Sequence, residues 1–188
     1  MDSFRVYLGN MINDPEIQET TIVLQNTMLD MLRRRAVIRG LEMRAMNKIL
    51  DSTVLNIVAS DYLRAQLSDS RKFFDKDARV HQIAKLTAVI SDPAVKVHHD
   101  SLYTTWKSTY EDAADKYLLH SEIGYVPPPG FSRAALDSFI DEVNQFLDEV
   151  ISNLTADNYA VAHNGGRDTS SGYISDLEKD ATDFFSIL

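Results

Sequence analysis

Between Pro15 and Pro93 the chain holds one glycine, Gly40, and no proline. Glycine and proline are the strongest local punctuation in a sequence, so a stretch this long without them favours long helices. What punctuation there is has the form of helix starts. Asp14-Pro15-Glu16 places a capping side chain ahead of a proline at the first helical position and an acid in the first turn. Ser91-Asp92-Pro93 repeats the cap-then-proline signature. Asp51-Ser52-Thr53, Ser68-Asp69-Ser70 and Ser132 supply three more candidate caps.

Apolar residues fall at helical spacing behind each of these signals. Ile17, Leu24, Met28, Met31 and Leu32 form the first stripe, whose pattern extends toward Leu50. Carried that far, the helix sets Arg35 and Arg39 on the same face as Leu24, Met28 and Leu32. Either it bends near Gly40, or the arginines reach past the edge of the core, or they face a partner. Val54, Leu55, Val58, Tyr62, Leu63 and Leu67 follow Asp51. Phe73, Phe74, Val80, Ile83, Leu86 and Ile90 are expected on a separate helix begun at Ser68-Asp69-Ser70. Leu102, Tyr103, Trp106, Tyr110, Ala113, Ala114, Tyr117 and Leu118 make an aromatic-rich stripe after Pro93.

Pro127-Pro128-Pro129-Gly130 cannot be helical and marks a boundary. Beyond it Leu136, Phe139, Ile140, Val143, Phe146, Leu147, Val150, Ile151 and Leu154 give the clearest amphipathic helix in the chain. Residues 155–175 lose periodicity and gain Asn, Gly, Ser and Thr, the composition of a linker. A short alternating run at 3–8 has no partner strand. The expected fold class is all-α: an irregular bundle of about five helices with a flexible linker and a C-terminal amphipathic docking helix. The expected organisation is a helical core over 1–126, a proline-rich connector at 127–131 and a long amphipathic helix at 132–155 packed on that core. A flexible linker at 156–175 and a docking segment at 176–188 complete it.

Charge divides the chain unevenly. Residues 1–133 carry 17 basic and 17 acidic side chains, whereas residues 134–188 carry 2 and 11, so the net charge of −9 resides in the last part of the chain. An acidic balance disfavours nonspecific nucleic-acid binding, which needs clustered Lys and Arg. The exception is local: Arg33, Arg34, Arg35, Arg39, Arg44 and Lys48 stand against the single acid Glu42. They scatter around the helix rather than forming one stripe. A solvated face with local ion pairs, an acidic protein surface and phosphate are the three candidate uses, the last disfavoured by the scatter.

Absent cysteine excludes disulfides, Cys-ligated zinc, iron–sulfur clusters and thiol nucleophiles. At 44% hydrophobic and 25% charged residues, the chain is too apolar for global disorder. No stretch approaches the roughly 18 apolar residues of a membrane span, and the first residues lack a secretory pattern. A cytoplasmic or virion location, with no membrane association, is expected. No nucleophile elbow, P-loop, dinucleotide fingerprint or His-Glu-x-x-His motif occurs.

Two resemblances attach to specific residues. His81, His99-Asp100 and Asp137 resemble the arrangement of metal-dependent phosphohydrolases named for a histidine–aspartate doublet, which implies a divalent ion activating water. Here the doublet lies in the first turns of a helix with no apolar run before it. Surface histidines near a helix start are the competing reading. Glu178, Ala181 and Phe184-Phe185 resemble the peptide by which replication and repair proteins enter sliding clamps, with glutamate standing where that pattern has glutamine. This implies an accessory factor of replication or transcription, tethered to a clamp or polymerase by its tail.

The terminal segment has a physical reading of its own. Leu177, Ala181, Phe184, Phe185 and Leu188 recur at helical spacing, with Asp176, Glu178, Asp180 and Asp183 between them. Adjacent phenylalanines near a terminus call for burial, in the chain's own core, in another copy or in a different partner. The expectation is a non-enzymatic helical interaction or assembly protein, an adaptor or subunit of a larger and possibly viral particle. Its partners would be protein subunits held through this segment, and no cofactor or metal is expected.

Overall fold

Four of the capping signals act as helix N-caps in the molecule. In the computed structural model, which describes residues 12, 14–47, 51–75, 77, 79–116 and 130–155, Asp14 Oδ1 accepts from the backbone N–H groups of Glu16 (2.9 Å) and Ile17 (3.3 Å). Asp51 Oδ1 accepts from Thr53 (2.7 Å), Asp92 Oδ1 from Ala94 (2.9 Å) and Ser132 Oγ from Ala135 (3.0 Å). Each satisfies one or two of the amide donors that a helix start leaves without intrahelical partners. The helices they open are α1 (Pro15–Met46), α2 (Ser52–Phe74), α4 (Pro93–Thr105) and α6 (Arg133–Leu154). A short α3 (Ile83–Ala88) precedes α4. A π turn (Trp106–Tyr110) joins α4 without a break to α5 (Glu111–Asp115). The described residues are thus all-α, five helical rods with no strand.

The core lies where α6 packs against the other helices. Leu136, Phe139, Ile140, Val143, Phe146, Leu147 and Val150 are all buried on one side of α6, as their spacing predicts. They meet Leu24, Met28, Met31 and Leu32 of α1, Leu67, Phe73 and Phe74 of α2, and Leu102, Trp106 and Tyr110 from the α4 rod, all within one cluster. Aromatic rings dominate its centre. Phe139 stands 4.8 Å from Tyr110, 5.7 Å from Phe74 and 6.4 Å from Trp106, and Phe74 stacks on Trp106 at 5.7 Å. The π turn widens the helix where Trp106 and Tyr110 enter this cluster.

Three expectations are corrected. Ser68-Asp69-Ser70 does not start a helix, because α2 runs through it to Phe74. Asp69 is accommodated inside the helix because it has partners there: it is buried and binds Arg34 from α1 and Lys72 one turn on. The chain leaves helix after Phe74 and resumes at Ile83, so Phe73 and Ile83 lie on separate helices. α1 passes Gly40 as continuous helix, and Gly40 is buried. Arg35 therefore neither skirts the core edge nor faces a partner; it enters the interior.

Of the connector, Gly130 and Phe131 are described. Gly130 has φ +89°, a left-handed conformation that glycine adopts without strain, two residues ahead of the Ser132 cap. Tyr117, Leu118, the prolines at 127–129, the run at 3–8, the linker and the docking segment lie outside the described residues. No described helix is long and apolar enough to cross a membrane.

Candidate interaction site

The six cations expected between 33 and 48 divide among separate surroundings. Arg33 pairs with Asp30 at 3.2 Å on the exposed side of α1. Arg34 reaches Asp69 on α2. Arg35 is 2% exposed and donates to Asp141 Oδ1 at 2.7 Å and to the Asp137 backbone oxygen at 3.2 Å. Arg39 is exposed and Arg44 half-buried further along α1, and Lys48 lies outside the described residues.

Asp137 is itself buried and accepts from the Tyr62 hydroxyl. Burial, and then that bond to a carboxylate, push the Tyr62 phenol above its ordinary value of 10. Arg133 forks onto Glu42, with Nη2 to Oε2 at 2.8 Å, and its guanidinium lies 6.0 Å from the centre of the Tyr62 ring. The hydrogen bond to Glu42 raises the already high Arg133 pKa further. This paired network ties the first turns of α6 to α1 and α2. It also fixes their relative direction. Arg35 meets Asp141 whereas Glu42, two turns further along α1, meets Arg133, so α1 and α6 run antiparallel.

Beyond this junction α1 and α2 continue as a two-helix arm. The last buried residue of α1 is Gly40 and the first of α2 is Tyr62, so among the described residues from 41 to 61 none is buried. The arm is apolar all the same: Met43 is 44% exposed, Met46 82%, Val54 46% and Ile57 59%. Sequence reasoning treated Val54 as part of an inward stripe and did not single out Met43, Met46 or Ile57. The stripes on both sides of Asp51 are real, and only the end of the core decides which of their members stay uncovered.

The histidines have individual partners. His81 Nδ1 lies 3.0 Å from Thr20 Oγ1 of α1. His98 Nδ1 lies 2.8 Å from Glu149 Oε2, and its ring packs 4.7 Å from Phe146. His99 lies 3.1 Å from Asp100 and stacks 6.3 Å from Tyr103. With Asp137 held by Tyr62, the residues of the phosphohydrolase resemblance sit in different contacts. Among the described residues no group of three or more His, Asp or Glu side chains is gathered to hold a metal ion.

The tail residues Asp176, Leu177, Glu178, Asp180, Ala181, Asp183, Phe184, Phe185 and Leu188 lie outside the described residues. No protein-family model, curated protein or solved structure matches the chain.

Proposed function

We propose that this chain is a non-enzymatic helical interaction protein, a subunit or adaptor of a larger assembly, that holds its partner through residues 176–188. The observation that carries this reading is the composition of that segment. Leu177, Phe184, Phe185 and Leu188 supply apolar anchors, and four carboxylates set orientation and discourage wrong partners. The helical body supports it as a rigid mount. Its exposed large apolar side chains include four on one projecting arm, the form of a contact surface rather than of a cleft around a reacting group.

The test is a pull-down comparing the full chain with one ending at Ser175, followed by identification of what the shorter chain fails to retain. Loss of a specific protein, with helicity and melting temperature unchanged, supports the reading. If truncation instead lowers helicity and melting together, the segment belongs to the chain's own core and the reading fails.

A further inference from the structure

We propose that the arm formed by the end of α1 and the start of α2 is the surface on which two copies of this chain pair, arm against arm about a two-fold axis. The inference goes beyond the function proposed above, because it gives the helical body an interface of its own.

Charge is what the arm lacks. Residues 45–60 hold Lys48 and Asp51 as their only charged side chains, in a chain where charged residues make up 25%. Elsewhere the exposed side of α1 carries Glu19, Asp30 and Arg33, as a solvated helix face does. At the start of α2, Val54 and Ile57 are exposed and Leu55, Val58 and Ala59 half-buried. At 100° per residue these five span about 200° of the helix, twice the width of an inward stripe. The outer part of that surface, with Met43 and Met46 on α1, calls for a second cover. Depletion of charge over exposed apolar residues is the composition of the middle of a protein–protein contact.

A copy of the arm is the occupant that this pattern fits. Residues 41–61 carry two bases, Arg44 and Lys48, and three acids, Glu42, Asp51 and Asp61, and Arg133 balances Glu42. Balanced in sign, the arm selects neither an acidic nor a basic partner and faces itself without repulsion. α6 does not: beyond Arg133 it carries five acids and no further base. It starts beside the arm at the Arg133–Glu42 pair and leads away, so Asp148 and Glu149 lie about 23 Å further along it at 1.5 Å per residue. Pairing by the arms therefore holds the acidic helices of two copies apart, whereas pairing along α6 would bring them together. One side of the arm measures about 15 by 20 Å, ten residues long and two helices wide. Covering two such sides on each copy buries on the order of 1,000 Å², the size of a weak, reversible pair. Two helical hairpins interleaved in this way make a four-helix bundle, and an isologous contact closes at two copies.

In sedimentation velocity the wild type is expected to double in mass as concentration rises and to go no further. Met46→Glu combined with Ile57→Glu sets like charges on both arms and is expected to abolish the dimer. Both side chains are mostly exposed, so circular dichroism should stay at wild-type helicity. The chain has no cysteine, so a single introduced thiol reports where the copies meet. Asn47→Cys, exposed on the arm, is expected to be joined between copies by a short bismaleimide, and Asn153→Cys, exposed at the far end of α6, is not. If the double variant loses helicity, the two cysteine variants decide alone. A wild type monomeric at every concentration overturns the proposal. So does a mass beyond two chains, a dimer that survives the double substitution, or joining at Asn153→Cys as efficient as at Asn47→Cys. Every variant keeps residues 176–188 intact, so failure here leaves the tail-mediated reading to its own pull-down.

Discussion

The guanidinium of Arg35, buried in the middle of α1, donates to the half-exposed carboxylate of Asp141 on α6 across 106 positions of sequence. A buried charge is retained only when paired and hydrogen-bonded. Here the second bond, to the Asp137 carbonyl, completes the arrangement. The pair anchors the start of α6 against α1, two turns inside the level of Arg133 and Glu42 at which the core ends.

Removing either partner should be unequal in effect. Arg35→Ala leaves a cavity and removes both hydrogen bonds of the guanidinium, and should cost about 2–4 kcal/mol in urea unfolding. Arg35→Met fills the space with apolar atoms and needs no counterion, so it should cost about 1 kcal/mol or less. Asp141→Ala strands the buried guanidinium and should cost about 2 kcal/mol, moderated by water reaching a site that is 42% exposed at the carboxylate. A Met variant less stable than the Asp141→Ala variant would show that the pair does not hold the junction.

Tyr62 makes an alkaline prediction. Its phenol titrates higher in the folded chain than the ordinary value of 10, because burial and Asp137 oppose the phenolate. The unfolded chain therefore releases this proton first. The stabilisation is complete below pH 10 and is lost as pH rises above it. Tyr110 is shifted the same way, by burial and by Glu142, and adds to the loss. Tyr62→Phe should cost about 1.5–3 kcal/mol at neutral pH, by leaving the buried Asp137 short of a donor. It should also flatten the decline of stability between about pH 10 and 12. Parallel pH profiles for variant and wild type would refute the assignment.

Caps and non-caps of identical chemistry should separate. Ser132→Ala removes the acceptor for Ala135 N–H and should cost about 1 kcal/mol, or about 2–4 °C in melting temperature for a chain of this size. Ser68→Ala, inside α2, should be neutral within about 0.5 kcal/mol, since alanine is the better helix former there. Equal losses in the two variants would count against an unbroken α2.

The aromatic centre can be read by its own fluorophore. Trp106 is the chain's one tryptophan and lies 6.4 Å from Phe139. Phe139→Ala should destabilise by about 3–5 kcal/mol and shift Trp106 emission to the red as water enters. An unchanged emission maximum would place Trp106 outside this cluster.

Much of the fold was legible because it is local physics. Asp14, Asp51, Asp92 and Ser132 bind amides within three residues of themselves, so their role is written in adjacent positions. The α6 stripe is equally local, since the spacing of Leu136 to Ile151 alone decides which side is buried. Ser68-Asp69-Ser70 carries the same signal and fails as a start. Asp69 finds Arg34 and Lys72, and a capping residue with such partners no longer competes for the backbone.

The sequence by itself determined that this chain is helical, where its main helices begin, and that its negative charge gathers toward the end. Only the tertiary structure decided that Arg35 is interior while Met46 is bare, although both belong to one helix. The reason is that helical periodicity assigns a residue to a side, whereas burial depends on whether another element lies across that side. α6 covers α1 as far as the level of Arg133 and Glu42, and past that level the same stripe meets water.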